Sequence, residues 1–276
     1  MEPSATLGLI ARVAALIGIH AFTWWGTIAI AAAIGGVVVP SPGSLIGPVV
    51  TALTVSALHV TLLCWVVRTA NLRGWPLVQV LVWVYALLTA VDALVRSLIS
   101  PPADWSIPVA FAIGSVIAAV FFVPLVVWFM GAGGRAPSVL DVRRLLPRLG
   151  RRDLMFRFAV LAAVVVPGLG LLLAAVLTPI GLGDSAWSAE VIPVLALRGA
   201  VWVVALIPLL QILPPRPVAA VAAALTLAIL PVAHLAVIDM GLAGGLRGAI
   251  EGTVPVALLA GFATAVWFRR TALAIA

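Results

Sequence analysis

The sequence predicts an all-α, polytopic integral membrane bundle of about eight transmembrane helices, and three observations carry that expectation. Hydrophobic residues make up 64% of the 276-residue chain and charged residues 9%, whereas a soluble domain carries roughly 25% charged residues. Apolar runs of about 20 residues recur, the length that crosses a hydrocarbon core of about 30 Å. The Lys+Arg total of 16 is entirely arginine, and most of these arginines gather between alternate apolar runs. No water-soluble fold could cover this much apolar surface, so lipid is the expected solvent.

Eight spans follow in order: about 12–39, 48–67, 76–98, 107–130, 158–180, 193–212, 218–238 and 250–268. The first is too long for a signal-peptide core of roughly 7–15 residues and reads as a retained helix. Pro48, Pro76, Pro108, Pro193 and Pro255 stand at the heads of spans. Proline is tolerated there because its missing N–H would have no helical partner in the first turn. Pro124, Pro167, Pro208 and Pro231 fall inside spans and are expected to kink them. Cys64, the only cysteine, lies within the second span, so no intrachain disulfide and no CxxC metal site can form.

Arginine placement sets the sides. With the N-terminus inside, Arg12, Arg68, Arg73, Arg135, Arg143, Arg144, Arg148, Arg151, Arg152, Arg157, Arg216, Arg269 and Arg270 all fall inside, against Arg96, Arg198 and Arg247 outside. Asp92, Asp104, Asp184, Glu190, Asp239 and Glu251 also fall outside. The positive-inside rule then makes both termini cytoplasmic. Trp65, Trp75, Trp128 and Trp267 would mark the inner interface, Trp105 and Trp187 the outer one. Arginine in place of lysine, beside abundant Ala, Val, Leu, Gly and Pro, points to a GC-rich bacterial genome and hence to a bacterial plasma membrane. The net charge of +7 is not a nucleic-acid signal, because the arginines lie between spans with no aromatic interleaving.

The chain divides into a first four-helix half, 1–130, a basic connection, 131–157, and a second half, 158–276. The start of the fourth span, IPVAFAIG from Ile107, echoes VPVALLAG from Val254 in the eighth. GPVVTAL from Gly47 in the second span echoes IPVLALR from Ile192 in the sixth. A four-plus-four tandem repeat gives this order. Within the connection, Val139, Leu140, Val142, Leu145 and Leu146 alternate with Arg143, Arg144 and Arg148. This reads as a short amphipathic segment on the inner leaflet, its 135–157 arginines facing anionic lipid headgroups. The connection either fixes topology alone or also offers a docking point for a cytoplasmic partner subunit such as an ATPase.

Two polar constellations lie inside the spans, where ionisable groups are costly and face the bundle interior. In the third span Tyr85, Thr89, Asp92 and Arg96 are spaced to form one helical stripe. Asp92 and Arg96 are placed to pair as i, i+4 neighbours. Arg198 of the sixth span and His234 of the seventh reach the depth of Asp92 and would complete an outward-facing substrate site. Guanidinium forks suit carboxylate or phosphate oxygens, so the ligand expected there is a small anionic or zwitterionic solute. In the second constellation, His20 with Thr23 and Thr27 lies in the first span, and His59 with Ser56 in the second. Both histidines fall at one depth, where they could ligate a haem iron or another metal ion; the alternative is hydrogen bonding to neighbouring groups.

HExxH, GxSxG, Walker A and CxxCH motifs are absent from the sequence. The leading expectation is a transport protein or permease subunit, not an enzyme, with Asp92 switching charge and Arg198 and His234 touching the solute. The alternatives are a haem-binding or redox membrane protein using His20 and His59, a membrane enzyme with Asp92 and His234 as acid and base, and a non-catalytic assembly subunit.

Overall fold

The computed structural model describes residues 3–34, 46–98, 105–133, 151–177, 191–214, 217–231 and 254–269. All regular structure among the described residues is helical, with no strand. The helices are α1 (Pro3–Ile34), α2 (Ile46–Thr69), α3 (Gly74–Ser97), α4 (Ser106–Phe129), α5 (151–177), α6 (Ile192–Ile212), α7 (Val218–Ile229) and α8 (Val254–Arg269). Among the described residues, five helical stretches are long and apolar enough to cross a membrane: Ala52–Thr69, Gly74–Ser97, Ser106–Phe129, Met155–Leu172 and Ile192–Ile212. Leu7–Thr23, Val218–Ile229 and Val254–Phe268 are shorter apolar helices. By length and composition this is a membrane protein.

The helix starts follow the prolines. Pro48, Pro76, Pro108, Pro193 and Pro255 each lie in the first turn of α2, α3, α4, α6 and α8. Pro124 and Pro208 are inside α4 and α6. Pro231 differs from expectation: α7 ends at Ile229 and Pro231 follows in a turn. Lacking an N–H, Pro231 cannot bond back to Leu227, and its ring crowds that carbonyl. α5 begins at Arg151 rather than near 158. Asp153 in its first turn complements the helix dipole, and it pairs with Arg157 at 3.1 Å, one turn on.

The end of α4 shows how the sequence closes a helix. Gly131 adopts φ +74°, the Gly131 N–H bonds to the Trp128 carbonyl, and the Ala132 N–H to that of Val127. This is a Schellman cap, which needs a left-handed residue and therefore favours glycine. The Ala132 carbonyl then accepts from the Gly74 N–H at 2.7 Å, tying the start of α3 to the end of α4.

Small residues set the helix spacing. Ala205, Ala219, Ala222, Ala223, Ala257 and Ala260 are buried. A Cβ on Gly261 would stand 2.6 Å from Ala224 Cα, so α8 lies directly against the backbone of α7. Such packing stabilises membrane bundles because lipid removes the hydrophobic drive between helices and leaves close contact to do the work. On the opposite face of α4, Ile113, Val116, Ile117, Val120 and Phe121 are exposed, a patch suited to hydrocarbon. Trp75, Trp105, Trp128 and Trp267 are exposed near helix ends, where an interfacial belt belongs.

The amphipathic part of the connection (Arg135, Arg143, Arg144 and Arg148 with its apolar partners), His234, Trp187, and the acids Asp104, Asp184, Glu190, Asp239 and Glu251 lie outside the described residues.

Candidate functional site

The third helix carries the polar residues, and its backbone decides where they point. α3 is interrupted by a π turn, Leu87–Val91, in which the Asp92 N–H bonds to the Leu87 carbonyl five residues back. A π turn inserts one residue into the helical repeat, so everything after it is rotated by about a quarter turn relative to everything before. Tyr85 precedes the insertion and Asp92 follows it. The single stripe expected from spacing is therefore divided, and its members face different neighbours.

Before the π turn, Tyr85 faces α1 and α2. Its hydroxyl lies 2.8 Å from His20 Nε2 and 3.0 Å from His59 Nδ1. His20 Nδ1 meets Ser56 Oγ at 2.8 Å, and His59 Nε2 donates to the Ile229 carbonyl at 3.3 Å. Ile229 is the last residue of α7, where helical carbonyls lack an intrahelical donor. The four side chains are buried. Phe122 of α4 packs edge-on against the His20 ring, the centroids 4.6 Å apart. Thr89 spends its hydroxyl locally, donating to the Tyr85 carbonyl at 2.7 Å.

After the π turn, Asp92 faces α6. Arg198 Nε donates to Asp92 Oδ1 at 2.8 Å and a terminal guanidinium nitrogen to Oδ2 at 2.9 Å. Trp202, one turn beyond Arg198, donates its indole N–H to Oδ1 at 2.7 Å, and its ring lies 4.7 Å from the Arg198 guanidinium carbon. The pair is bidentate, the strongest form of charged hydrogen bonding, with a cation–π contact added. Both side chains are buried, at 1% and 0% relative exposure. The two arginine-to-carboxylate bonds use matched forks, which offsets the desolvation each charge suffers.

The approach of α6 depends on Gly199. A Cβ there would stand 2.6 Å from the Ala162 carbonyl oxygen and 2.9 Å from Val166 Cβ. Ala162 belongs to a second π turn, Leu161–Val165, in α5. Thus α6 is seated against one π turn by its glycine and bonded just past another by its arginine.

The structure brings Asp92 and Arg198 together, as their common depth suggested. It places Tyr85 with His20 and His59 instead, buries Thr89, and leaves Arg96 half-buried on the last turn of α3. His20 and His59 do meet, with ring centroids 5.3 Å apart. All four ring nitrogens are engaged by Ser56, Tyr85 or Ile229, and the Tyr85 hydroxyl stands where the two rings converge. The rings are thus arranged as hydrogen-bonding partners rather than as ligands converging on a metal. Among the described residues, no three His, Cys, Asp or Glu side chains form a metal-binding group. Trp202 was not singled out by sequence reasoning, although its position four residues after Arg198 puts it on the same face. The Ile229 carbonyl and Gly199 carried no signal that spacing could read.

No protein-family model, curated protein or solved structure matches this chain. Its class therefore rests on its own helices: a multi-helix membrane protein with two buried polar clusters.

Trp202→Phe is expected to lower stability by about 1.5–3 kcal/mol, the usual range for a hydrogen bond to a charged group. Thermal unfolding in detergent measures it. A loss below about 0.5 kcal/mol would mean that the indole contributes packing alone.

Proposed function

We propose that this chain is a transport protein of the bacterial plasma membrane, with eight spans, cytoplasmic termini and two four-helix halves that move against each other. The carrying observation is the ion pair of Asp92 and Arg198, buried where α3 of one half meets α6 of the other. Ionisable groups kept inside a membrane bundle usually mark a pathway or a relay.

The contact pattern supports the two-half reading. In the first half α1 packs on α2 and α4, and α4 also packs on α2 and α3. In the second, α5 packs on α6 and α8, α8 also packs on α6 and α7, and α6 touches α7 as well. Between halves α3 meets α6, and α2 meets α7. Exchanging the halves turns each of these two contacts into the other, as a pseudo-two-fold axis requires. The helix ends agree. Arg12 of α1 donates to the Phe129 carbonyl at the end of α4, and Arg157 of α5 to the Trp267 carbonyl at the end of α8. The receiving segments read VVWF from Val126 and AVWF from Ala265.

The chemistry fits a small zwitterion. Its carboxylate would take the Arg198 fork and its ammonium the Asp92 carboxylate, so each protein charge exchanges one partner for another of the same sign. His234, on the seventh span beyond the described residues, would join the same layer.

The test is uptake of labelled amino acids and small carboxylates into proteoliposomes. Wild-type protein should exceed protein-free vesicles at least tenfold for one solute class. The double variant Asp92→Asn with Arg198→Gln should remain folded and lose that uptake. Unchanged uptake in the double variant would reduce the pair to a structural contact.

A further inference from the structure

We infer that His20, Tyr85 and His59 form a binding site for one proton, which moves between α1 and α2 through the Tyr85 hydroxyl. One backbone acceptor sets the proton order of the neutral cluster. A backbone carbonyl can only accept, so His59 Nε2, 3.3 Å from the Ile229 oxygen, carries its hydrogen. Neutral His59 then has a bare Nδ1, and the Tyr85 O–H donates to it across 3.0 Å. With its one hydrogen committed, the Tyr85 oxygen accepts from His20 Nε2 at 2.8 Å. Neutral His20 therefore has a bare Nδ1, which accepts from the Ser56 hydroxyl at 2.8 Å. One carbonyl thus fixes four hydrogens on three other helices, all in one direction.

This chain can take up an extra proton without losing a bond. When a proton from bulk water binds His20 Nδ1, the Ser56 hydroxyl rotates and accepts instead of donating. The charged state then has a second arrangement. The His20 Nε2–H bond breaks as its proton passes to the Tyr85 oxygen, and the original Tyr85 O–H proton passes to His59 Nδ1. The positive charge moves from His20 to His59, Tyr85 stays neutral, and each of the four contacts keeps one donor and one acceptor. Only N–H and O–H bonds change, and no proton is created or lost.

The neighbours leave this reading intact. Among the described contacts, the cluster is faced by His20 from α1, His59 with Ser56 from α2, Tyr85 from α3, Phe122 from α4 and the Ile229 carbonyl from α7. Asp92 and Arg198, the nearest charged pair along α3, are turned to α6 by the π turn.

The proton's position also acts on the fold. The bond from His59 to Ile229 joins α2 to α7, hence one half to the other. With the charge on His59 that bond becomes charge-assisted and about twice as strong; with the charge on His20 it is neutral. Moving the proton therefore tightens or loosens one contact between the halves. Its use as a coupling ion rests on the transport reading, whereas the proton site itself does not.

Nitrogen-15 NMR of the full-length, detergent-purified protein labelled at histidine tests the site, with His234→Gln removing the third signal. In the neutral state both rings should be Nε2–H tautomers. On acidification both should shift at one shared midpoint, each by part of the full protonation shift and the two parts adding to one, because one proton is exchanged between them. In Tyr85→Phe the two should separate, with full-size steps at different midpoints or one ring silent. If one wild-type histidine takes the full shift alone, if neither is protonated before unfolding, or if His59 is an Nδ1–H tautomer, the site is overturned. The tautomer result needs no variant, so it stands even where Tyr85→Phe fails to fold. Shared titration without solute uptake would sink the transport reading and leave the proton site standing.

Discussion

Neutralising Asp92 or Arg198 alone is expected to cost about 3–5 kcal/mol of stability, the range for removing one partner of a buried ion pair. With Asp92→Asn the guanidinium of Arg198, at 1% exposure, keeps its charge and loses its counter-ion. With Arg198→Gln the buried carboxylate keeps the Trp202 indole and loses its counter-ion. Both charges are buried where α3 meets α6. The double variant should be no worse than either single one, since two amides can bond each other and an amide carbonyl can still accept from Trp202. The cycle should yield a coupling of about 3 kcal/mol, at the upper end for directly contacting residues. Chemical denaturation in detergent measures all four proteins. Strict additivity would mean that the two charges find other partners in the membrane.

Gly199→Val should be strongly damaging although it touches neither charge directly. Even a methyl group would meet the Ala162 carbonyl at 2.6 Å, and the obstacle is backbone, which cannot rotate aside. Overpacking a tight contact costs about 1–3 kcal/mol, and here the only relief is to push α6 off α5. That displacement also carries Arg198, the neighbouring residue, relative to Asp92. The variant should therefore lose stability and, in the uptake assay, lose transport beyond what its folded fraction explains. Gly168→Val is the control, because a Cβ on Gly168 meets nothing within 4 Å. If the two glycine variants unfold alike, α6 is not held where its glycine places it.

Much of the architecture was legible in the residues alone. Apolar runs of membrane length, prolines in first turns and exposed tryptophans near helix ends are local signals, each set by the chemistry of a few consecutive residues. Burial of Asp92, Arg198, His20 and His59 was legible too, because lipid drives ionisable and polar groups inward. Their common depths followed from the helical rise, which depends on nothing beyond the helix itself.

That Tyr85 joins the histidines while Asp92 turns to Arg198 was not legible. Tyr85 and Asp92 share a stripe in any regular helix, and only the π turn at Leu87–Val91 separates them. The residues Leu87, Leu88, Thr89, Ala90 and Val91 contain no proline or glycine to announce it. A π turn gives up regular helical bonding, so it persists where the packing gained on both sides exceeds that cost, and this packing comes from helices distant in the chain. The bond between Asp92 and Arg198 spans 106 residues, and that between His59 and Ile229 spans 170. The sequence by itself determined the class of molecule, its helices and the depth of its polar groups, because those follow from local composition and the lipid solvent. The tertiary structure alone decided the partners, because helix order, close approach at Gly199 and the quarter-turn in α3 arise only when all the helices pack together.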